Sequence, residues 1–188
     1  MVKLIYAYGS NKGSVDRHFG LNVEGKERLP WPKLPLDLKE FKKETSGSIL
    51  VMGAKTFMSL PGKLPNRKHY VFCDFTRPIK FHDADAVFNE NTFEQFLESV
   101  KDSEETYCVI GGISMLERAL PYASEIIVTR ILAETNLVLE STTKLPYTLT
   151  PNAHYMKGWE MEESLSYPKV EIPNHEGIVT IDKYTLRK

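Results

Sequence analysis

The chain opens on an apolar run, Val2 to Tyr8, that is rich in β-formers and stops at Gly9; this predicts a strand. Runs of the same kind recur at 48–52 (SILVM), 68–73, 86–88, 106–110 (TYCVI) and 125–132 (EIIVTRIL). Each is bounded by glycine, proline or polar residues and predicts a buried strand. Between them the spacing becomes helical. Over 35–44, Leu34, Leu38, Phe41 and Thr45 fall in one narrow arc, with Lys39, Glu40, Lys43 and Glu44 opposite and Pro35 suited to the first turn. Over 92–100 (TFEQFLESV), Phe93, Phe96, Leu97 and Val100 share a face, with Thr92 as the predicted N-cap and Gln95 three residues on. A further helix is expected from about Ser114 to Leu120, stopped by Pro121, and a helix start follows Gly53.

Two stretches break the pattern. Residues 9–28 are polar and glycine-bearing, too long for a simple turn, and predict a mobile loop beside a site. Phe19, Gly20 and Leu21 interrupt its polarity, either to pack on a ligand or to anchor the loop. Residues 133–158 are irregular, with turns at Leu145-Pro146 and Thr150-Pro151, and Asp74 to Lys80 reads as a turn. The chain ends in two strand-like runs, 159–167 and 178–187, expected to form an antiparallel ribbon.

Strands alternating with helices, then strands only, argue an α/β sandwich: one domain over 1–188, with a mostly parallel central sheet and an antiparallel C-terminal edge. In such sheets ligands bind beyond the carboxyl ends of the strands. Tyr6 to Tyr8, Met52-Gly53 and Ile110 to Gly112 lie at such ends and are expected to converge on one cleft, bordered by the 35–44 helix.

Composition narrows the function classes. With 188 residues, 41% hydrophobic, 26% charged and a net charge of -1, nothing suggests disorder. No basic field points to nucleic acid or an anionic membrane. The five histidines lack metal-ligand spacing, and no apolar run approaches a membrane span of about 20 residues. Cys73 and Cys108 sit in apolar runs, where a thiol behaves as a small hydrophobe; a reducing, cytoplasmic location is expected, and a disulfide between them stays open.

Candidate chemistry begins at Asp37. It stands at the rim of an apolar stripe, where partial desolvation would raise its pKa and suit it to proton handling. An acid in a first turn also complements the helix dipole, so both readings stand on this stretch alone. Trp31, between two prolines, holds a large ring nearby. The strand–glycine–helix turn at Gly53-Ala54-Lys55-Thr56 exposes backbone N–H groups to an anion, and Gly111-Gly112 does so with more room; tight strand–helix packing is the alternative for each. Arg67, at a strand entrance, is either a solvated charge or a bidentate clamp on a carboxylate. Thr129 shares a strand face with Ile127 and Ile131, so its hydroxyl needs a partner.

Four ordered segments, LPWPKLPLDLKEFKKET, VMGAKTF, LPNRKHYVF and VIGGISML, resemble the dihydrofolate reductase family, and the match runs from Leu4 to about Ile131. Beyond that only the coarse strand pattern is similar. The resemblance implies that family's three-layer α/β fold. It also implies hydride transfer from NADPH to C6 of dihydrofolate with protonation of N5. In this reading Asp37 binds the 2-amino group and N3 of the pterin, Trp31 holds an ordered water near it, and Thr129 partners the acid. Ile5, Tyr6, Ala7 and Ile110 line the pterin and nicotinamide pocket. Leu38, Phe41, Leu60 and Leu64 complete the substrate contacts, and Arg67 clamps the α-carboxylate of the glutamate tail.

For the cofactor the resemblance implies Gly53, Ala54, Lys55 and Thr56, then Gly111, Gly112, Ile113, Ser114, Met115 and Leu116, around the pyrophosphate. Ala7, Phe19, Gly20 and Leu21 would lie at the nicotinamide, and Cys73 and Asp74 at the adenosine end. Three departures stand out. Ala54 replaces a basic residue common in the family, Asn66 a glycine before Arg67, and Asp74 a Ser or Arg near the 2′-phosphate. Asp74 would repel that phosphate, with Lys55 and Arg77 as offsetting cations, so NADPH is the expected cofactor and NADH stays open. Dihydrofolate and antifolates are the expected partners, with a monomer as default and a dimer open. Two alternatives remain: the pyrimidine reductase of riboflavin synthesis, against which Asp37 with Arg67 argues, and a non-catalytic protein that keeps the fold.

Overall fold

A computed structural model describes residues 1–77, 81 and 83–188. The end of the turn expected over Asp74 to Lys80 lies outside them. The strands are β1 (Val2–Asn11), β2 (His18–Val23), β3 (Lys26–Arg28), β4 (Ile49–Gly53), β5 (Lys68–Cys73), β6 (Ala86–Asn89), β7 (Tyr107–Gly111), β8 (Glu125–Thr135), β9 (Thr143–Lys144), β10 (Glu160–Glu171) and β11 (Ile178–Arg187). The α-helices are α1 (Pro35–Thr45), α2 (Ala54–Ser59), α3 (Phe93–Val100) and α4 (Ile113–Ala119). Every strand and helix expected from the pattern forms. The chain divides into two compact units, Met1–Ile5 with Lys42–Glu125, and Tyr6–Phe41 with Ile126–Lys188.

In the first unit the start of β1 pairs in parallel with β7, and β7, β4, β5 and β6 follow in that order, all parallel. Parallel neighbours need crossover connections, which α2, α3 and α4 help supply. Strands covered on both faces read as continuous apolar runs. Leu50, Val71, Phe72, Cys108 and Val109 are accordingly buried, and α3 and α4 bring Phe93, Leu97 and Leu116 into this core. Thr92 stands at the N-cap of α3, as expected, but makes no side-chain cap bond: a 3-10 turn, Glu90–Thr92, precedes α3, Asn89 caps that turn by accepting from Asn91 N, and the Thr92 hydroxyl donates back to Asn89 O. Both cysteines are free and buried.

In the second unit β10 and β11 run antiparallel from Glu160↔Arg187 to Glu171↔Ile178, and β8 follows β11 in the order. β10 is almost wholly exposed, as an edge strand is. The core is a cluster of Trp31, Leu34, Ile131, Ala133, Leu139, Ile172, Val179 and Ile181, with Ala7 and Leu36 packed on it.

Residues 9–28 do not form the expected loop. β1 runs on to Asn11, and β2 and β3 make a hairpin in which Val23 faces Lys26 across Glu24 and Gly25, at φ 51° and 82°. Two left-handed residues give the primed turn that matches strand twist. β2 also pairs with β9, so part of 133–158 is ordered by it, including a 3-10 turn at Tyr147–Leu149. Among the described residues no helix is long and apolar enough to cross a membrane, and no group of His, Cys, Asp or Glu could hold a metal ion.

Candidate active site

The acid lies in the second unit. Pro35 starts α1, and Leu34, just before it, is 2% exposed in the core cluster. One turn further on, Asp37 leaves that cluster half-buried, and burial alone pushes its carboxyl up to about 6. Trp31, 5% exposed, belongs to the same cluster, as does Ile131 of β8. Alternation along β8 puts Thr129 on the face of Ile131 and Ala133, which is the face that meets Leu34 and Trp31. Asp37 and Thr129 therefore flank one apolar cluster, each a step beyond it.

The arc predicted for α1 holds only in part. Leu34 and Thr45 are buried and Phe41 half-buried, but Leu38 is 43% exposed because the cluster packs only the first turn. Ala7 packs on the cluster, whereas Tyr6 points the other way, its hydroxyl donating to Leu149 O at 2.7 Å. What Tyr6 presents on the Ala7 side is backbone. Phe19 and Leu21 are half-buried and Gly20 buried in β2, held by pairing rather than in a free loop. A side-chain network, missed in the sequence, anchors this strand. His18 contacts Ser141 Oγ at 2.7 Å and Asp16 Oδ2 at 2.8 Å, while Asn11 donates to Asp16 and to Leu139 O. Burial opposes ionisation of Asp16, yet hydrogen bonds from Ser14, His18 and Asn11 hold its carboxyl well below the usual range. The Glu24-Gly25 pair was the signal that could have revealed the hairpin.

The first unit carries the glycine turns. Gly53 caps α2 and Gly112 caps α4, and one cavity of about 350 Å³ is lined by both turns. Its walls include Gly53 to Thr56, Cys73, Asp74, Arg77 and Gly112 to Met115. Ile5 and Leu116 are buried, Leu116 completely. Ile110, Leu60 and Leu64 are half-buried. A Cβ on Gly53 would lie 3.6 Å from Met115 Cγ, and one on Gly111, at φ 142°, would lie 3.2 Å from Thr56 Oγ1. Asp74 accepts from Thr76 Oγ1 and Thr76 N, which keeps its carboxyl ionised below the usual range, with Arg77 Nε 3.7 Å away.

Arg67 is not a solvated charge. It is 9% exposed, donating from Nη1 to Thr45 Oγ1 at 2.9 Å and from Nε to Pro65 O at 3.0 Å. Asn66 before it sits at φ 61°, a region Asn tolerates better than most residues, and its amide donates to Ser46 Oγ. That accounts for Asn standing where a glycine was expected.

Comparison with known proteins gives the family and the fold. The family model for dihydrofolate reductase matches residues 18–166. The chain is 31% identical over 153 residues to dihydrofolate reductase type 9 of Escherichia coli, covering 79% of this chain and 78% of that one. It is 35% identical over 132 residues to the dihydrofolate reductase of Bacillus subtilis, covering 70% and 69%. Among solved structures, that of dihydrofolate reductase from Enterococcus faecalis, complexed with NADP(H) and RAB-propyl, has a similar fold. Its TM-score is 0.68 at 23% identity, over 100% of this chain and 97% of that one.

Proposed function

This chain belongs to the dihydrofolate reductase family, and from that premise we propose how its residues divide the work. The reaction is NADPH-dependent reduction of 7,8-dihydrofolate to 5,6,7,8-tetrahydrofolate. The observation that carries the reading is Asp37, a half-buried carboxyl raised to about 6 beside the Trp31 cluster. A carboxyl near neutrality can accept from the 2-amino group and N3 of the pterin while favouring a proton on the ring. Trp31 and Thr129 orient the acid and an ordered water, and Ala7 offers a small wall. In the second unit Leu38, an exposed apolar side chain, and Phe41 are assigned to the p-aminobenzoyl ring; in the first, Leu60 and Leu64 carry the same assignment, and Arg67, already steered by Thr45, is assigned the α-carboxylate.

The residues present fit the cofactor. Both glycine turns line one cavity, and a Cβ on Gly53 or Gly111 would fill the space between them, so glycine there keeps the backbone of the two turns open to a pyrophosphate. When bound there, NADPH supplies the hydride to C6. Lys55 and Arg77 on the cavity wall offset Asp74 at the adenosine phosphate. Antifolates would compete at Asp37, and a cytoplasmic monomer is the accompanying reading.

The test follows NADPH oxidation with dihydrofolate, with and without an antifolate, in the parent and in Asp37→Asn. Antifolate-sensitive turnover lost in the variant supports the assignment; no turnover by folded parent protein refutes it.

A further inference from the structure

His69, on β5, is 0% exposed, and its Nδ1 has no hydrogen-bond partner among the described residues. Its Nε2 accepts from the backbone N–H of Leu64 at 3.1 Å. That bond needs Nε2 unprotonated, which leaves the ring proton on Nδ1. The nearest acid, Asp85, holds Oδ2 3.8 Å from Nδ1, beyond hydrogen-bond reach. Asp85 is otherwise engaged: it accepts from His69 N at 2.8 Å and from Lys63 Nζ at 2.6 Å. An edge-on Phe57 ring, 6.2 Å away, closes the site.

A buried imidazole with one orphaned N–H is a cost that an apolar residue would not carry. What it secures is the main chain of Leu64. Residues 60–67 form neither helix nor strand, so Leu64 N–H has no ladder partner and finds its acceptor in a side chain. Leu60, Leu64 and Arg67, three of the five residues assigned to the p-aminobenzoyl-glutamate half of the substrate, lie in this segment.

We propose that His69 is a positioning residue for the dihydrofolate site. Its Nε2 fixes the Leu64 backbone, so that Leu64 and Arg67 meet the ring and the carboxylate of the substrate at a set spacing. The inference rests on the functional reading above. Burial keeps the ring neutral, with Asp85 opposing this and the Lys63 and Arg67 cations reinforcing it, so the acceptor persists.

The experiment compares the parent with His69→Leu, which removes the acceptor, and His69→Gln, whose Oε1 can replace Nε2. Dihydrofolate and NADPH binding are measured by calorimetry beside steady-state rates. In His69→Leu the Kd and KM for dihydrofolate should rise about fivefold, the loss of one hydrogen bond, with kcat and NADPH affinity unchanged. His69→Gln should restore most of this. Equal losses for both ligands, or no rescue by Gln, would reduce His69 to a fold residue and overturn the proposal. Should His69→Leu not fold, the nitrogen-15 spectrum of the parent decides: a neutral ring protonated at Nδ1 is required, and a proton on Nε2 refutes it. A folded parent that binds no dihydrofolate would instead overturn the functional reading, leaving the tautomer result to stand by itself.

Discussion

The Arg67 guanidinium donates from Nη1 to the hydroxyl of Thr45, 2.9 Å away, so the last residue of the helix that carries Asp37 also steers the proposed carboxylate clamp. Thr45 is fully buried, and replacing it by Val would leave an Arg67 N–H without that acceptor. Such an orphan costs about 1–3 kcal/mol. Thr45→Val should lower the melting temperature and raise the KM for dihydrofolate by roughly fivefold, a loss of about 1 kcal/mol, while Arg67→Ala should raise it further. Both should leave the KM for NADPH unchanged. Equal losses for the two ligands would place Arg67 away from the substrate tail.

Asp37 is predicted to trade stability for chemistry. Its carboxyl pKa is about 6 in the fold against 3.8 unfolded, so between these values the native state holds more protons and stability falls as pH rises. Asp37→Asn carries no such charge. Below about pH 4 the two proteins should be similarly stable, and above about pH 6 the variant should be the more stable by roughly 3 kcal/mol at most. Its rate should fall by about 10²–10⁴, most at neutral pH, where the parent carboxylate is charged. Denaturant melts across pH, paired with kcat/KM profiles, test both halves; a variant less stable at pH 7 would contradict the desolvation argument.

Asp37, the glycine turns and the strand set were legible because each is written in consecutive residues: an acid beside an apolar stripe, or a glycine between a strand and a helix. What escaped depends on partners far along the chain. From its own stretch Arg67 stayed open between a solvated charge and a clamp because its acceptor, Thr45, lies 22 residues upstream. His18 looked like part of a loop because Ser141 is 123 residues away. The hairpin at 18–28 was hidden by polar residues on its outer positions, although its Glu24-Gly25 turn was present to be read. Thr92 stands at the predicted N-cap of α3, but its hydroxyl bonds back to Asn89 O rather than to the helix, because a 3-10 turn capped by Asn89 runs into α3.

At the adenosine end, Asp74 is an anion lining the cavity proposed for the cofactor, held ionised by Thr76 and faced by Arg77. Exposed charges interact weakly, so the effect of Asp74→Ser should be modest: NADPH preference over NADH should rise by up to about fivefold. Arg77→Ala should lower it by a similar factor. Kinetics with both cofactors at low and high salt would check this, since screening should shrink the difference. An unchanged preference would move Asp74 away from the 2′-phosphate.

Gly111 sets the sharpest local constraint. Its φ of 142° lies where a side chain is strained, and an added Cβ would press on Thr56 Oγ1 at 3.2 Å, across the space between the two glycine turns. Strain of this kind is worth about 1–3 kcal/mol. Gly111→Ala should therefore lower stability by that amount and weaken NADPH binding, because relieving the contact shifts Thr56 or the turn itself. Thr56→Ala removes the hydroxyl 3.2 Å from the added Cβ and should recover part of both losses when combined with Gly111→Ala. Titration of NADPH by fluorescence, with thermal melts of the single and double variants, measures the coupling. Strictly additive effects would show that the two residues do not share the strain.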